Sequence, residues 1–213
     1  MATSGSLPDL SLERAAARAG YLRIVGIDEA GRGPLAGPVV VAGAILPPRI
    51  QLPGLDDSKR LTEKRREELF EKLIHHPGVG HHIAIISPRV IDRLNVLGAT
   101  WKGMRDSATL LNTEEGPPDF ALIDGSPVPD FPIDCQSVVK GDSISMSIAA
   151  ASVLAKVTRD RLMLELAEKH PEYGFERHKG YPTKHHLDML HKHGPIDAHR
   201  YSFGPVAQRS LNL

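Results

Sequence analysis

The chain has 213 residues, 41% hydrophobic and 24% charged, a length and balance that suit one compact domain with its own core. Its 26 basic and 26 acidic residues cancel, which excludes a protein that grips nucleic acid by bulk charge alone. A single cysteine, Cys135, excludes an intramolecular disulfide, and no apolar run approaches the roughly 18 residues of a membrane span.

Residues 10–19 are Ala/Arg-rich and predict a short helix stopped by Gly20. Residues 22–27 and 39–46 read as neighbouring strands joined by a glycine- and proline-rich loop. A polar Asp56-Asp57-Ser58-Lys59 loop leads to a helix over 62–75 with Thr62 as N-cap. Residues 82–86 form a third strand, and Ser87-Pro88 opens a helical region that runs to about 112, with a break expected at Gly98. Strands follow at 120–123, ending in Asp124-Gly125, and at 137–139, ending in Lys140-Gly141-Asp142. A long helix over 143–169 carries the small-residue stretch Ala149-Ala150-Ala151-Ser152, and a last helix spans 183–193. Helices interleaved with strands predict an α/β fold with a mixed sheet. Most of the paired histidines, His75-His76, His81-His82 and His185-His186, are expected on the surface, because none has zinc-site spacing.

Chemistry concentrates at the strand ends. Asp28 and Glu29 sit side by side inside Gly26-Ile27-Asp28-Glu29-Ala30-Gly31-Arg32-Gly33-Pro34, and Asp124 and Asp142 each end another apolar run beside a glycine. Buried carboxylates brought together repel unless cations neutralise them. Oxygen-only ligands suit Mg²⁺ or Mn²⁺, and two such ions about 4 Å apart serve phosphodiester cleavage. Lys59, Lys156 and Arg159 are candidates for phosphate-backbone contacts. Residues 135–213 hold 11 Lys/Arg against 8 Asp/Glu, a mild basic bias consistent with a local phosphate-facing surface.

These runs carry a resemblance. Residues 26–39, Asp57-Ser58-Lys59-Arg60-Leu61, Leu122-Ile123-Asp124-Gly125 and Lys140-Gly141-Asp142 are similar, in order, to the motifs of type 2 ribonuclease H, the bacterial ribonuclease HII family. So are Ser147-Ile148-Ala149-Ala150-Ala151-Ser152, residues 155–160 and His178-Lys179-Gly180-Tyr181-Pro182-Thr183-Lys184. The resemblance implies a ribonuclease H-like fold: a mixed sheet flanked by helices, with a small C-terminal helical portion. Residues 21–213 would be the catalytic domain and 1–20 an N-terminal extension. It implies metal-ion hydrolysis of RNA in RNA–DNA hybrids, and cutting 5′ of ribonucleotides embedded in duplex DNA, leaving 5′-phosphate and 3′-hydroxyl ends. Asp28, Glu29, Asp124 and Asp142 match the family's catalytic, metal-binding acids, with Mn²⁺ or Mg²⁺ as cofactor. Gly31-Arg32-Gly33 matches the loop that reads the ribose 2′-hydroxyl, and Tyr181 the ring that packs on the neighbouring sugar.

A monomeric cytoplasmic enzyme without a membrane partner is expected. Residues 208–213 faintly resemble a sliding-clamp peptide but lack its aromatic pair. Three rival readings are a silent hybrid-binding module, a two-metal DNA nuclease or resolvase, and a carboxylate-pair glycosidase. The first is disfavoured by the presence of all four acids. The others leave the Gly-Arg-Gly loop without a task.

Overall fold

The computed structural model describes residues 7–210. Five strands form one mixed sheet: β1 (Ile24–Ala30), β2 (Val39–Ile45), β3 (Gly80–Ile86), β4 (Phe120–Asp124) and β5 (Asp134–Val138), in the order β3-β2-β1-β4-β5. β3, β2 and β1 pair antiparallel, and β1, β4 and β5 pair parallel. The helices are α1 (Ser11–Arg18), α2 (Glu63–His75), α3 (Pro88–Leu110), α4 (Met146–Lys169), α5 (Phe175–His178), α6 (Lys184–His193) and α7 (Gly204–Ser210). None of them is long and apolar enough to cross a membrane.

β2 shows why this sheet needs cover on both faces. Strand side chains alternate, so Val40, Ala42 and Ala44 pack with α2 and α4, while Val39 and Val41 pack with α3. The small residues Ala149, Ala150 and Ala151 let α4 lie close on the sheet. Gly26 of β1 takes this to the limit: a Cβ there would sit 2.2 Å from the Ser147 carbonyl carbon. The N-terminus of α4 is capped by the Ser145 hydroxyl, which accepts from the Ile148 N–H.

Three expectations need correction. β1 runs from Ile24 to Ala30, because its ladder with β2 continues through Asp28↔Ala42, Glu29↔Val41 and Ala30↔Val40. The acids therefore lie inside the strand, and Leu22 lies outside it, 77% exposed. β5 begins earlier, at Asp134, where it pairs with Phe120. The break in α3 falls at Asn95 (φ 57°), whose side-chain oxygen accepts from the N–H groups of Leu97 and Gly98 and so caps the second half of the helix. Of the paired histidines, His75, His76, His81 and His185 are exposed as expected, while His186 is fully buried.

The N-terminal segment packs on the domain from Asp9 onward. Asp9 bridges to Ser145, and Glu13 of α1 accepts from the hydroxyls of Ser145 and Ser147 at 2.6 and 2.7 Å and from the Ser147 N–H at 2.9 Å. A carboxylate there complements the positive end of α4. Residues 1–6 of the proposed extension, and 211–213 of the clamp-like run, lie outside the described residues.

Candidate active site

The parallel pairing of β1 and β4 aligns Ile27 with Ile123, so the next residues, Asp28 and Asp124, emerge side by side. Asp142 arrives from the 3-10 turn Gly141–Ser143 just before α4, behind Lys140 in a left-handed conformation (φ 58°). The Gly141 N–H donates to Asp124 Oδ1 at 2.6 Å, which ties this turn to the end of β4. Carboxylate oxygens of Asp28, Asp124 and Asp142 then lie within 4.8 Å of one another. Glu29 is not one of this group of three, but it lies within Coulombic reach of Asp28, Asp124 and Lys59. Its Oε1 pairs with Arg32 Nη1 at 3.2 Å.

Electrostatics make this cluster unfavourable when it is bare. Burial, followed by the charges of Glu29 and Asp124, pushes the Asp28 carboxyl well above the ordinary range, although Ser152 and the Glu29 N–H donate to it. Burial raises Glu29 too, against the opposing pull of Arg32. Asp142 is raised by burial and then by Asp57 and Asp124, with Lys59 opposing. Lys59 Nζ lies 3.3 Å from Asp142 Oδ2 and 3.8 Å from Asp57 Oδ1. Burial disfavours its charge, yet Asp57, Asp142 and Asp28 outweigh that and hold the ammonium charged. One lysine cannot neutralise three converging carboxylates. An all-oxygen, crowded, desolvated donor set of this kind fits a hard divalent cation.

The Gly-Arg-Gly loop lies on the neighbouring surface. Gly31 has φ +97°, and a Cβ there would fall 2.0 Å from Arg159 Nε, so only glycine fits. The Tyr181 ring lies against Gly33, whose Cβ position is 3.4 Å from Tyr181 Cε1, and Tyr181 is 47% exposed. Arg32, half exposed, presents the rest of its guanidinium outward. The loop and Tyr181 therefore share one open surface.

Two expected phosphate contacts fare differently. Lys156 is bound to Asp160 at 2.6 Å, a helix pair that occupies its charge. Arg159 is not on the surface at all. It is 1% exposed and donates to the carbonyls of Pro38, Ala36 and Lys179, because α4 turns this side chain under the glycine-rich loop. These bonds tie α4 to the glycine-rich loop and to Lys179. Ser147 is likewise a packing residue, while Ser152 reaches both Asp28 and the Ser58 hydroxyl, the latter at 2.8 Å.

Reading the sequence missed Arg200, His199 and the buried partner His186. The Ile196 N–H donates to His199 Nδ1 at 3.0 Å, and His186 Nδ1 lies 2.9 Å from the Tyr181 carbonyl. These neighbours fix both tautomers: His199 Nε2–H must donate to His186 Nε2, 3.1 Å away. A relay of neutral rings so ends on the backbone of Tyr181. Burial is the main reason that both histidines are lowered from 6.5 to about 4. The unfolded chain therefore takes up protons that the native state refuses between these values. Their stabilising effect is complete above pH 6.5 and is lost as pH falls towards 4, at up to about 1.4 kcal/mol per unit for each ring. Urea midpoints measured from pH 7.5 to 4.5 should fall more steeply for the wild type than for a His186→Gln variant. Parallel curves would contradict this.

The mixed five-strand sheet with its flanking helices is a ribonuclease H-like fold. Ribonuclease H2 of Pyrococcus horikoshii superposes with a TM-score of 0.74 at 24% identity, covering 90% of this chain and 98% of that one. Ribonuclease HII of Archaeoglobus fulgidus, solved as a complex with PCNA, gives 0.70 at 26%, covering 84% and 94%. A ribonuclease HII from Desulfitobacterium hafniense is 50% identical over 190 residues, 89% of this chain and 72% of the relative. The family profile for ribonuclease HII matches residues 25–206. The chain belongs to the ribonuclease HII family, and it is a hydrolase that cleaves phosphodiester bonds.

Proposed function

We propose that this enzyme cuts duplex DNA 5′ of an embedded ribonucleotide, beyond the cleavage of RNA in RNA–DNA hybrids that its family membership carries, with Mn²⁺ or Mg²⁺ as cofactor. The observation that supports it most is the approach of the Asp28, Asp124 and Asp142 oxygens to within 4.8 Å of one another, with Glu29 linking them to the loop through Arg32. Asp28, Asp124 and Asp142 would hold the cation, with Glu29 beside them. When bound, it would supply charge neutralisation at the scissile phosphate and activation of water.

The remaining roles belong to the chain. Arg32 offers donors to a phosphate oxygen. The glycine-flanked backbone of residues 31–33 can approach a 2′-hydroxyl, which both donates and accepts and marks RNA at a single nucleotide. Tyr181 offers a flat apolar face to the adjoining deoxyribose. Lys59 balances the cluster beside Asp142. Water adds to phosphorus as the P–O3′ bond breaks, and O3′ departs with a proton, leaving 5′-phosphate and 3′-hydroxyl ends. A clamp-directed role for residues 208–213 rests only on the Archaeoglobus relative, which was solved with PCNA.

The test uses labelled duplex DNA carrying one ribonucleotide beside an all-DNA duplex, with Mn²⁺, Mg²⁺ or EDTA. A cut 5′ of the ribonucleotide, lost in EDTA and absent from pure DNA, is expected. Equal cutting of both duplexes, or cutting in EDTA, would refute the reading. Tyr181→Ala should lower the junction rate by at least about tenfold, while its stability changes by less than about 0.5 kcal/mol because the ring is half exposed. An unchanged rate would remove Tyr181 from the site.

A further inference from the structure

Arg200 is fully buried, and no described carboxylate forms an ion pair with it. Its guanidinium is spent on backbone carbonyls: Nη2 to Gly31 at 2.6 Å and Pro38 at 3.2 Å, Nη1 to Arg32 at 2.9 Å, Nε to Gly37 at 3.0 Å. Its own N–H donates to the Leu35 carbonyl at 2.8 Å, and the Gly37 N–H donates to Ala198 at 2.8 Å. A buried cation without a carboxylate is costly, and is retained where several strong acceptors surround it. Here every side-chain acceptor belongs to the glycine-rich loop or its continuation into β2.

The residue immediately before it works on the other half of the same surface. His199 bridges Ala36 and, through His186, reaches the Tyr181 carbonyl. The Leu35 N–H donates to the Gly180 carbonyl at 2.8 Å, closing a ring of bonds between loop and tyrosine. One dipeptide thus braces both elements from behind, and neither of its side chains can touch a substrate.

We propose that His199-Arg200 is the positioning element that sets the spacing between the Gly31-Arg32-Gly33 loop and Tyr181, and thereby the selectivity for an isolated ribonucleotide. The inference rests on the junction reading above. An isolated ribonucleotide offers one 2′-hydroxyl, so loop and ring must meet it and its deoxy neighbour in a single register. A continuous RNA strand offers a 2′-hydroxyl at every sugar, so an imperfect spacing can still find a productive register. Loss of the brace should therefore fall more heavily on the isolated ribonucleotide than on the hybrid.

The test compares kcat and KM on a single-ribonucleotide duplex and on a continuous RNA–DNA hybrid for wild type, Arg200→Lys, His199→Asn and His199→Gln. Arg200→Lys keeps the charge and loses the planar fork. Asn at 199 is too short to reach His186, whereas a Gln amide can place a donor near the lost Nε2. Arg200→Lys and His199→Asn should lower the ratio of kcat on the single ribonucleotide to kcat on the hybrid by about 100-fold, the scale of an ångström-sized misplacement, and His199→Gln should recover much of it. Mn²⁺ affinity should stay unchanged in all three. A uniform loss on both substrates, or an unchanged ratio, would overturn the proposal, since a merely structural role lowers both alike. His199→Asn removes a single side-chain link and remains decisive if Arg200→Lys does not fold. If the wild type cuts the hybrid and not the single-ribonucleotide duplex, the junction reading fails and this inference with it. If it cuts both and the ratios hold, only the inference fails.

Discussion

Asp28→Asn is expected to reduce turnover by about a thousandfold or more and, in metal-free buffer, to make the protein more stable. The first effect follows from removing a charged oxygen from the proposed three-carboxylate cation site, where a bound ion would contribute several kcal/mol to the transition state. The second follows from the same geometry. Burial and the like charges of Glu29 and Asp124 already raise the Asp28 carboxyl well above its ordinary value, so its ionised form destabilises the bare fold at neutral pH. Asparagine keeps an oxygen to accept from the Glu29 N–H, now 2.7 Å from Asp28 Oδ1, and drops the repulsion. A gain of about 1–2 kcal/mol would appear as a rise of several degrees in Tm. Hybrid binding should persist. A fall in Tm in EDTA would show that the acid supports the fold, and unimpaired turnover would remove it from the site.

Gly26→Ala should have the largest effect on stability. The added methyl would meet the Ser147 carbonyl carbon at 2.2 Å and the Ile148 nitrogen at 2.3 Å. These are backbone atoms of α4 and cannot rotate aside, so the helix must lift from β1. Overpacking of this severity costs at least about 3 kcal/mol, or about 10 °C in Tm for a domain of this size. The site should suffer as well, because α4 carries Ser152 against Asp28 and follows directly from the turn that holds Asp142. A thermal scan that leaves Tm within about 2 °C of wild type would contradict the close packing of β1 and α4.

Much of the candidate site is legible in the sequence because its residues fall in short local runs. Asp124 and Asp142 stood out as acids closing apolar stretches, and the glycines around Arg32 marked a backbone that had to approach something closely. What escaped was everything that depends on contacts across the fold. Two adjacent carboxylates look like a strand terminus and predict an end at Ile27, yet the β2 ladder carries β1 through both. Arg159 looked like a surface cation because α4 is apolar or small on most sides, so periodicity does not reveal which face turns inward. Glu13 meets Ser147 across 134 residues, and Arg200 meets Gly31 across 169. No local pattern signals such pairs. The His186–His199 relay was hidden for a different reason: histidine is a usual surface residue, and its burial here depends on two backbone groups that fix its tautomers.

We propose that Asp28, Asp124 and Asp142 form one cation site. Calorimetric titration of Mn²⁺ into the protein without nucleic acid tests it most directly, using wild type, Asp28→Asn, Asp124→Asn and Asp142→Asn. Saturable binding by wild type and a large loss of affinity in each of the three variants are expected, with the fold retained by circular dichroism. Wild-type affinity in any one of them would contradict it.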